Sequence, residues 1–163
     1  MALLLKGDEG YYCAEVDAGG ARFRVRELNE AELDEWDQQF AAVGKFADER
    51  ARLERARLQD ASEVNVAGAT IPLPREMTAD EVEAMRDLSR KFAQGQREMI
   101  IWVCCKGVVA VARDDARLNY QPISHEDIRR LPNSALKALY LRIIRESVLT
   151  VDEQDFLAPA PSN

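Results

Sequence analysis

The stretch ISHEDIRRLPNSALKALYLRIIRESVLTV, residues 123–151, carries the clearest fold pattern in the chain. Its first part predicts a short helix, because Ser124 is a favoured N-cap and Asp127 stands at the third position. Pro132 cannot continue that helix and marks a corner. A longer helix follows, and its apolar residues are spaced three and four apart, which predicts one buried face. The residues of that face are Leu136, Leu139, Tyr140, Ile143, Ile144 and Val148.

A second set of residues on the last helix lies away from the predicted buried face. The set combines apolar and basic side chains: Ala138, Leu141, Arg142, Arg145 and Leu149. It is either part of the core of a crowded fold or a surface for a protein partner, since single apolar residues are common on surfaces. If the protein binds a partner, we expect this set to be the first place to look for it.

Residues 11–28 have the pattern of a β-hairpin. We predict strands at Tyr11–Val16 and Ala21–Leu28, joined by a turn at Asp17–Gly20 whose glycines can take positive φ. In the second strand, Phe23 and Val25 alternate with three basic residues. These are Arg22, Arg24 and Arg26. They form either the water-facing side of an amphipathic strand or a basic ladder that docks an acidic partner.

Two long helices are predicted in the middle of the chain. Asn29 and Glu32 form a capping-box arrangement, and the helix behind them can run to about residue 59. Thr78 and Glu81 form a second capping box, which begins a helix that continues to about residue 105. Each helix carries an apolar stripe, so both are expected to pack against other elements.

The segments that follow these two helices are less regular. Residues 60–77 are predicted to be a connector, because Pro72 and Pro74 exclude a helix there. Val64, Val66 and Ile71 predict either a short strand or an extended loop, and we expect the connector to be mobile in the free protein. Residues 107–112 are rich in β-branched side chains and are compatible with either helix or strand.

Composition and charge limit the classes of partner. The 163 residues carry a net charge of −7, which disfavours nucleic acid and anionic membranes, because phosphate groups are bound by clustered Lys and Arg. The most apolar stretch, Met99–Ala112, is interrupted by Lys106 and Gly107 and is shorter than a membrane span. The cysteine count is odd, which makes a poor disulfide framework and is typical of a reducing compartment. We therefore expect a cytoplasmic protein.

The sequence has no catalytic constellation, and we expect no enzymatic activity, no cofactor and no metal site. Ser124 is explained as a helix cap, and His125 as an exposed residue in the first helical turn. Cys104 and Cys105 are adjacent, so they point to different faces of a helix and lack the spacing of zinc ligands. The alternative in this class is a small enzyme that uses Cys104 or His125.

Together these patterns predict an α+β fold that is mostly α. We expect a small N-terminal β-hairpin followed by about four helices around one core. The predicted division of the chain is an N-terminal β element at 1–28, a helical domain at 29–151 and a disordered tail at 152–163. The tail contains Pro159 and Pro161, and chain ends are commonly poorly ordered.

Two parts of the chain resemble the tail assembly chaperones of long-tailed bacteriophages. Residues 23–36, FRVRELNEAELDEW, are similar to the opening of that family, in which a strand leads through a Leu and a polar cap into the first helix. Residues 108–151 are similar to its C-terminal half. There an apolar segment and the acidic turn Asp114-Asp115 precede the capped helix at Ser124, the Leu131-Pro132 corner and the last amphipathic helix.

The resemblance implies a non-enzymatic role in phage tail assembly. Proteins of that family coat the tape measure protein, keep it soluble and help to recruit tail tube subunits. The implied partners are therefore the tape measure protein and the tail tube protein, with self-association as a further candidate interaction, and the implied location is the cytoplasm of the host cell. The alternative is a structural virion component, such as a tail-completion or connector subunit, that stays in the mature particle.

Overall fold

The structure, a computed structural model, describes residues 5–7, 10–112 and 119–156, and the side chains of residues 12–112 and 119–148. These residues form an α+β fold that is mostly helical, as the sequence predicts, with a small antiparallel sheet. The strands are β1 (Leu5–Gly7), β2 (Gly10–Tyr12), β3 (Ala14–Ala18), β4 (Ala21–Val25), β5 (Ser62–Val66), β6 (Ala69–Leu73), β7 (Val108–Ala112) and β8 (Gln121–Pro122). The helices are α1 (Glu30–Gln59), α2 (Ala79–Gly107), α3 (His125–Arg129) and α4 (Asn133–Phe156).

The chain divides into two compact units. The first comprises Met1–Trp36 and Glu98–Asn163, and the second comprises Asp37–Arg97. This division differs from the predicted boundary at residue 28, because β4 of the N-terminal element pairs with β7. The predicted single core is confined to the first unit. In the second unit, where every residue is described, Leu88 alone is buried, because two helices and a two-stranded hairpin cover little of each other's surface.

The described residues of the first unit form a two-stranded sheet, β1-β2, and a four-stranded sheet with the strand order β3-β4-β7-β8, and both are antiparallel. Phe23 and Val25 point into the core, as predicted from their alternation, and are 1% and 0% exposed. The β3–β4 turn is shorter than predicted, because Ala18 pairs with Ala21 and leaves only residues 19 and 20 in the loop. Both loop residues are glycines at positive φ. The predicted first strand is interrupted at Cys13, which separates β2 from β3.

The ambiguous segment after α2 is a strand. β7 pairs with β4, so that Phe23 lies opposite Val111 and Arg24 opposite Ala110. Pairing with β4 provides hydrogen-bond partners for the backbone of a segment whose side chains are almost all buried, which an isolated extended segment cannot obtain. The acidic turn at residues 114–115 lies outside the described residues.

The helical pair in residues 123–151 forms as predicted at its start. Ser124 caps α3, and its hydroxyl accepts a hydrogen bond from the Asp127 N–H at 3.1 Å. Ile128, Leu136, Leu139 and Ile143 are completely enclosed in the core. The start of the predicted tail differs, because α4 continues through residues 152–156 to Phe156. The remaining tail, 157–163, lies outside the described residues.

The predicted buried face of α4 is wrong at one position. Val148 is 42% exposed, whereas its neighbour Ser147 is buried. The Ser147 hydroxyl accepts a hydrogen bond from the Leu28 N–H at 2.8 Å and donates one to the Ile143 carbonyl at 2.7 Å. Ser147 is buried because its hydroxyl satisfies the N–H of Leu28, which lies between β4 and α1. Helical periodicity cannot reveal such a contact.

Candidate protein-binding surface

The second unit is built on two antiparallel helical segments. Near one end, a Cβ atom added to Gly95 of α2 would lie 3.0 Å from a methyl group of Val43 in α1. Near the other end, Arg75 bridges Asp60, which follows α1, and Glu81 in the first turn of α2. The end of α1 therefore lies beside the start of α2, and the intervening residues 62–73 are carried at that end of the helix pair.

Two arginines hold the base of this intervening segment. Arg75 donates hydrogen bonds to Glu81 at 2.7 Å and to Asp60 at 3.4 Å. Arg57 donates two hydrogen bonds of 3.2 Å to the carbonyl oxygen of Arg75 and one of 2.9 Å to Glu54. The guanidinium of Arg75 lowers the pKa of Glu81 to about 2 by hydrogen bonding, and the capping N–H of Thr78 adds to the effect. At the base, two guanidinium groups are thus shared among three carboxylates.

The predicted connector contains a β-hairpin, which is the strand alternative of the two that its apolar residues predict, and its mobility in the free protein stays a prediction. β5 and β6 pair in the register Ser62–Leu73, Val64–Ile71 and Val66–Ala69. The two loop residues, Ala67 and Gly68, have φ of 51° and 86°. Two consecutive positive φ values in a two-residue loop are the conformation of a type I′ turn, whose twist matches that of paired strands. Pro72 and Pro74 exclude a helix, as predicted, but they do not exclude an edge strand.

The β5–β6 hairpin has one apolar and one polar face. Because side chains alternate along a strand and directly paired residues share a face, the register places four large apolar residues together. These are Val64, Val66, Ile71 and Leu73, and they are 39% to 56% exposed. The opposite face carries Glu63, Asn65, Thr70 and Pro72. We call the first set the apolar face of the β5–β6 hairpin.

This apolar face fits a protein-binding surface better than a catalytic site. Clustered large apolar side chains in contact with water mark places where proteins associate. A two-stranded hairpin by itself is marginally stable in water, and here the arginine bridges at its base hold it at the end of a helix pair. The arrangement therefore presents a small, oriented apolar platform.

This surface is not among the partner surfaces predicted from the sequence. Its signal was present in the alternation of Val64 and Val66 and in the Ala67-Gly68 pair that follows. The signal was weak because Ala is not a usual type I′ residue, and because Pro72 lowers the strand propensity of the second half.

The predicted second strand ends at Val25 instead of Leu28, so Arg22 and Arg24 lie in β4 and Arg26 follows it. All three arginines are paired within the chain. Arg22 contacts Asp17 at 2.6 Å, Arg24 contacts Glu15 at 3.2 Å, and Arg26 contacts Glu32 at 2.8 Å. The guanidinium of Arg24 also lies 3.6 Å from the centroid of the Tyr120 ring. A basic ladder for an acidic partner stays a prediction, and these pairs reduce the positive charge that it offers.

The predicted partner surface on α4 is only partly accessible. Leu141 is 64% exposed, and Arg145 is exposed beside it. Arg142 pairs with Glu146 at 2.7 Å. Ala138 is half-buried and packs against the core of the first unit, so it belongs to the core as much as to the surface. The side chain of Leu149 lies outside the described residues.

The groups considered for chemistry are three buried or half-buried thiols and one exposed histidine. Burial raises the pKa of the Cys13 thiol to about 11 and that of the Cys104 thiol to about 12, and it also raises the pKa of Cys105. All three are therefore poor nucleophiles at neutral pH. His125 is exposed at the start of α3. In the described part of the chain, no three His, Cys, Asp or Glu side chains converge on a possible metal position.

Two further findings bear on the class of protein. Over the residues that the structure describes, no helix combines the length and the apolar character that a membrane crossing requires. Comparisons with models of protein families, with curated proteins and with solved structures found no match to this chain. The geometry of the exposed surfaces and the sequence resemblance described above are therefore the observations that bear on the function.

Proposed function

We propose that this protein is a non-enzymatic phage tail assembly chaperone that binds and solubilises the tape measure protein. The observation that supports this proposal is the apolar face of the β5–β6 hairpin, which is exposed to water and held by ion pairs at the end of a helix pair. The sequence resemblance in residues 23–36 and 108–151 supplies the class of partner. The proposed place of action is the cytoplasm of the infected host cell, where the protein also helps to recruit tail tube subunits.

The physical basis of this role is the transfer of apolar surface out of water. A tape measure protein is a long helical chain whose apolar stripes aggregate unless they are covered. An amphipathic helix binds through apolar residues spaced three and four apart, which can pack on a small apolar platform. Full burial of an exposed Val, Ile or Leu side chain contributes about 1.5–3 kcal/mol, and the four side chains of this face, which are 39% to 56% exposed, can each contribute about half of that. Because association itself has a free-energy cost, this surface favours weak, reversible binding.

Co-expression with the tape measure protein encoded in the same genome tests the proposal. We expect the soluble fraction of that protein to rise several-fold when this chain is present. The variant V64S/I71S should lose most of the effect, because it replaces one cross-strand pair in the centre of the apolar face. Equal solubility of the tape measure protein with and without this chain would refute the proposal.

A matched control separates loss of binding from loss of folding. The variant N65S/T70S changes the neighbouring cross-strand pair on the polar face and should solubilise the tape measure protein as well as the wild type does. Circular dichroism of both variants checks that the helices are retained. If both variants lose the effect equally, the apolar face is not the binding surface.

Mass spectrometry of purified virus particles distinguishes the chaperone from a structural subunit. A chaperone leaves the tail when assembly is complete, so we expect the protein to be absent or far below the copy number of the tail tube protein. Retention in a fixed number of copies per particle would favour the structural alternative.

A further inference from the structure

The turn of the β5–β6 hairpin determines which backbone groups of its strands face outward. In a type I′ turn the first residue accepts a hydrogen bond from the fourth, so Val66 and Ala69 form a hydrogen-bonded pair. Hydrogen-bonded and non-hydrogen-bonded pairs alternate in an antiparallel ladder. The pair Asn65–Thr70 and the pair Glu63–Pro72 are therefore non-hydrogen-bonded, and their N–H and C=O groups point away from the hairpin.

The two outward edges of this hairpin are not equivalent. On β6, the outward positions are Thr70 and Pro72, and the proline has no N–H and places its ring where a neighbouring strand would lie. On β5, the outward positions are Glu63 and Asn65, and both have an N–H and a C=O to offer. The β5–β6 sheet has two strands in the described part of the chain, so β5 is an edge that is competent to pair.

We infer that two copies of this protein associate through antiparallel pairing of their β5 strands. The outward groups of Glu63 then pair with those of Asn65 in the second copy, and the reverse pair follows from the two-fold symmetry. The centre of this register places Val64 opposite Val64 of the second copy on the apolar side. The β5 strand is thus complementary to a second copy of itself, both in its outward N–H and C=O groups and in the apolar side chains that lie opposite each other.

The charge pattern of the strands favours this register over the one centred on Glu63. Glu63 is the only charged residue in β5 and β6, whose sequences are SEVNV and ATIPL. The register centred on Val64 places Glu63 opposite the neutral Asn65 of the second copy. A register centred on Glu63 would place two carboxylates directly opposite each other, which is unfavourable.

The assembly closes at two copies. Pairing of the two β5 strands gives the strand order β6-β5-β5-β6, so that both outer edges carry Pro72 and further strand addition is blocked. A two-fold axis perpendicular to this sheet keeps both apolar faces on the same side, where they form one continuous four-stranded platform. This inference concerns the second copy alone and does not depend on the tape measure protein as partner.

Proline substitution on the two edges tests the inference in the full-length protein. Asn65→Pro removes the outward N–H of β5, and Thr70→Pro makes the same change on β6 within the same cross-strand pair. In sedimentation equilibrium we expect a wild-type dimer. N65P should raise the dimer dissociation constant about tenfold or more, because two interstrand hydrogen bonds are lost, whereas T70P should leave it within about threefold. A monomeric wild type at millimolar concentration, or equal effects of the two variants, would overturn the inference.

Cysteine cross-linking tests the register without disturbing the fold. In the proposed dimer the Cα atoms of the two Val64 residues lie about 4.5–5.5 Å apart, within disulfide range. Those of the two Ile71 residues lie about 14 Å apart, three strand spacings away. V64C should therefore form a covalent dimer on oxidation and I71C should not, with the wild type measuring the background from its three native cysteines. Equal cross-linking of V64C and I71C would contradict the proposed pairing.

Discussion

At the scale of single residues, Gly107 at the end of α2 has no space for a side chain. It is buried, and a Cβ atom there would lie 2.6–2.8 Å from three side-chain carbons of Ile143 in α4. Ile143 is itself completely buried, so it cannot move away without displacing its neighbours. The close approach of α2 and α4 thus depends on the absence of one methyl group.

Gly107→Ala is expected to lower the free energy of unfolding by about 1–3 kcal/mol, the range for overpacking a core. Chemical denaturation measures this loss. The same substitution in an Ile143→Ala background should be much less harmful, because the three clashing carbons are then absent. Equal losses in the two backgrounds would show that crowding against Ile143 is not the cause.

Ser147→Ala is expected to lower the free energy of unfolding by about 1–3 kcal/mol, because the buried Leu28 N–H loses its acceptor. The matched control is Ser134→Ala at an exposed position of the same helix, which should change the stability by less than about 0.5 kcal/mol. Thermal or chemical denaturation of both variants provides the comparison, and similar values for the two would contradict a structural role for the Ser147 hydroxyl.

The pH dependence of the hairpin base is expected to follow Glu81. Its pKa is lowered from 4.5 to about 2 by Arg75, so the ionised form is favoured in the folded state. The stabilisation from this pair is fully present above pH 4.5 and is lost as the pH falls towards 2. An NMR titration of the Glu81 carboxyl should show this low value, and Arg75→Ala should raise it towards the ordinary value; an unchanged titration would contradict the pairing.

At the scale of elements, the β5–β6 hairpin depends on its turn. Gly68 has φ of 86°, which a β-branched residue adopts only with strain, so Gly68→Val should destabilise the hairpin by about 1–2 kcal/mol. Ala67→Gly should have the opposite effect, because Ala67 also has positive φ. Chemical shifts and amide exchange of residues 62–73 report both changes. A hairpin that is equally ordered in G68V and wild type would show that the turn does not control it.

The helix starts and the strands show which elements local sequence can specify. The capping boxes of α1 and α2 form as predicted, with reciprocal hydrogen bonds of 3.0 Å between Asn29 and Glu32 and of 2.9 and 3.3 Å between Thr78 and Glu81. These signals act within one helical turn and can be read from sequence. The β7 strand cannot be read from sequence in this way, because its formation as a strand depends on pairing with β4, which lies more than eighty residues earlier.

At the scale of the whole molecule, the two units differ in how much they bury. The first contains the core, whereas in the second Leu88 is the single buried residue. We expect amide hydrogens of α1 around Leu53 to exchange faster than those of α4 around Leu139, by at least about tenfold, because local opening exposes little apolar surface in the second unit. Hydrogen exchange measured by mass spectrometry tests this, and equal protection of the two regions would contradict it.

The helix caps, the inward face of β4 and most of the buried face of α4 can be read from the local sequence. Each of these depends on residues close together in the chain, where spacing and side-chain type are sufficient. Three features became clear only from the folded chain: residues 62–73 form a hairpin with an exposed apolar face, the arginines at 22, 24 and 26 are ion-paired, and Ser147 replaces Val148 in the core. These features depend on which distant groups meet, because a backbone donor or a charged side chain is satisfied by any suitable partner that folding brings within reach.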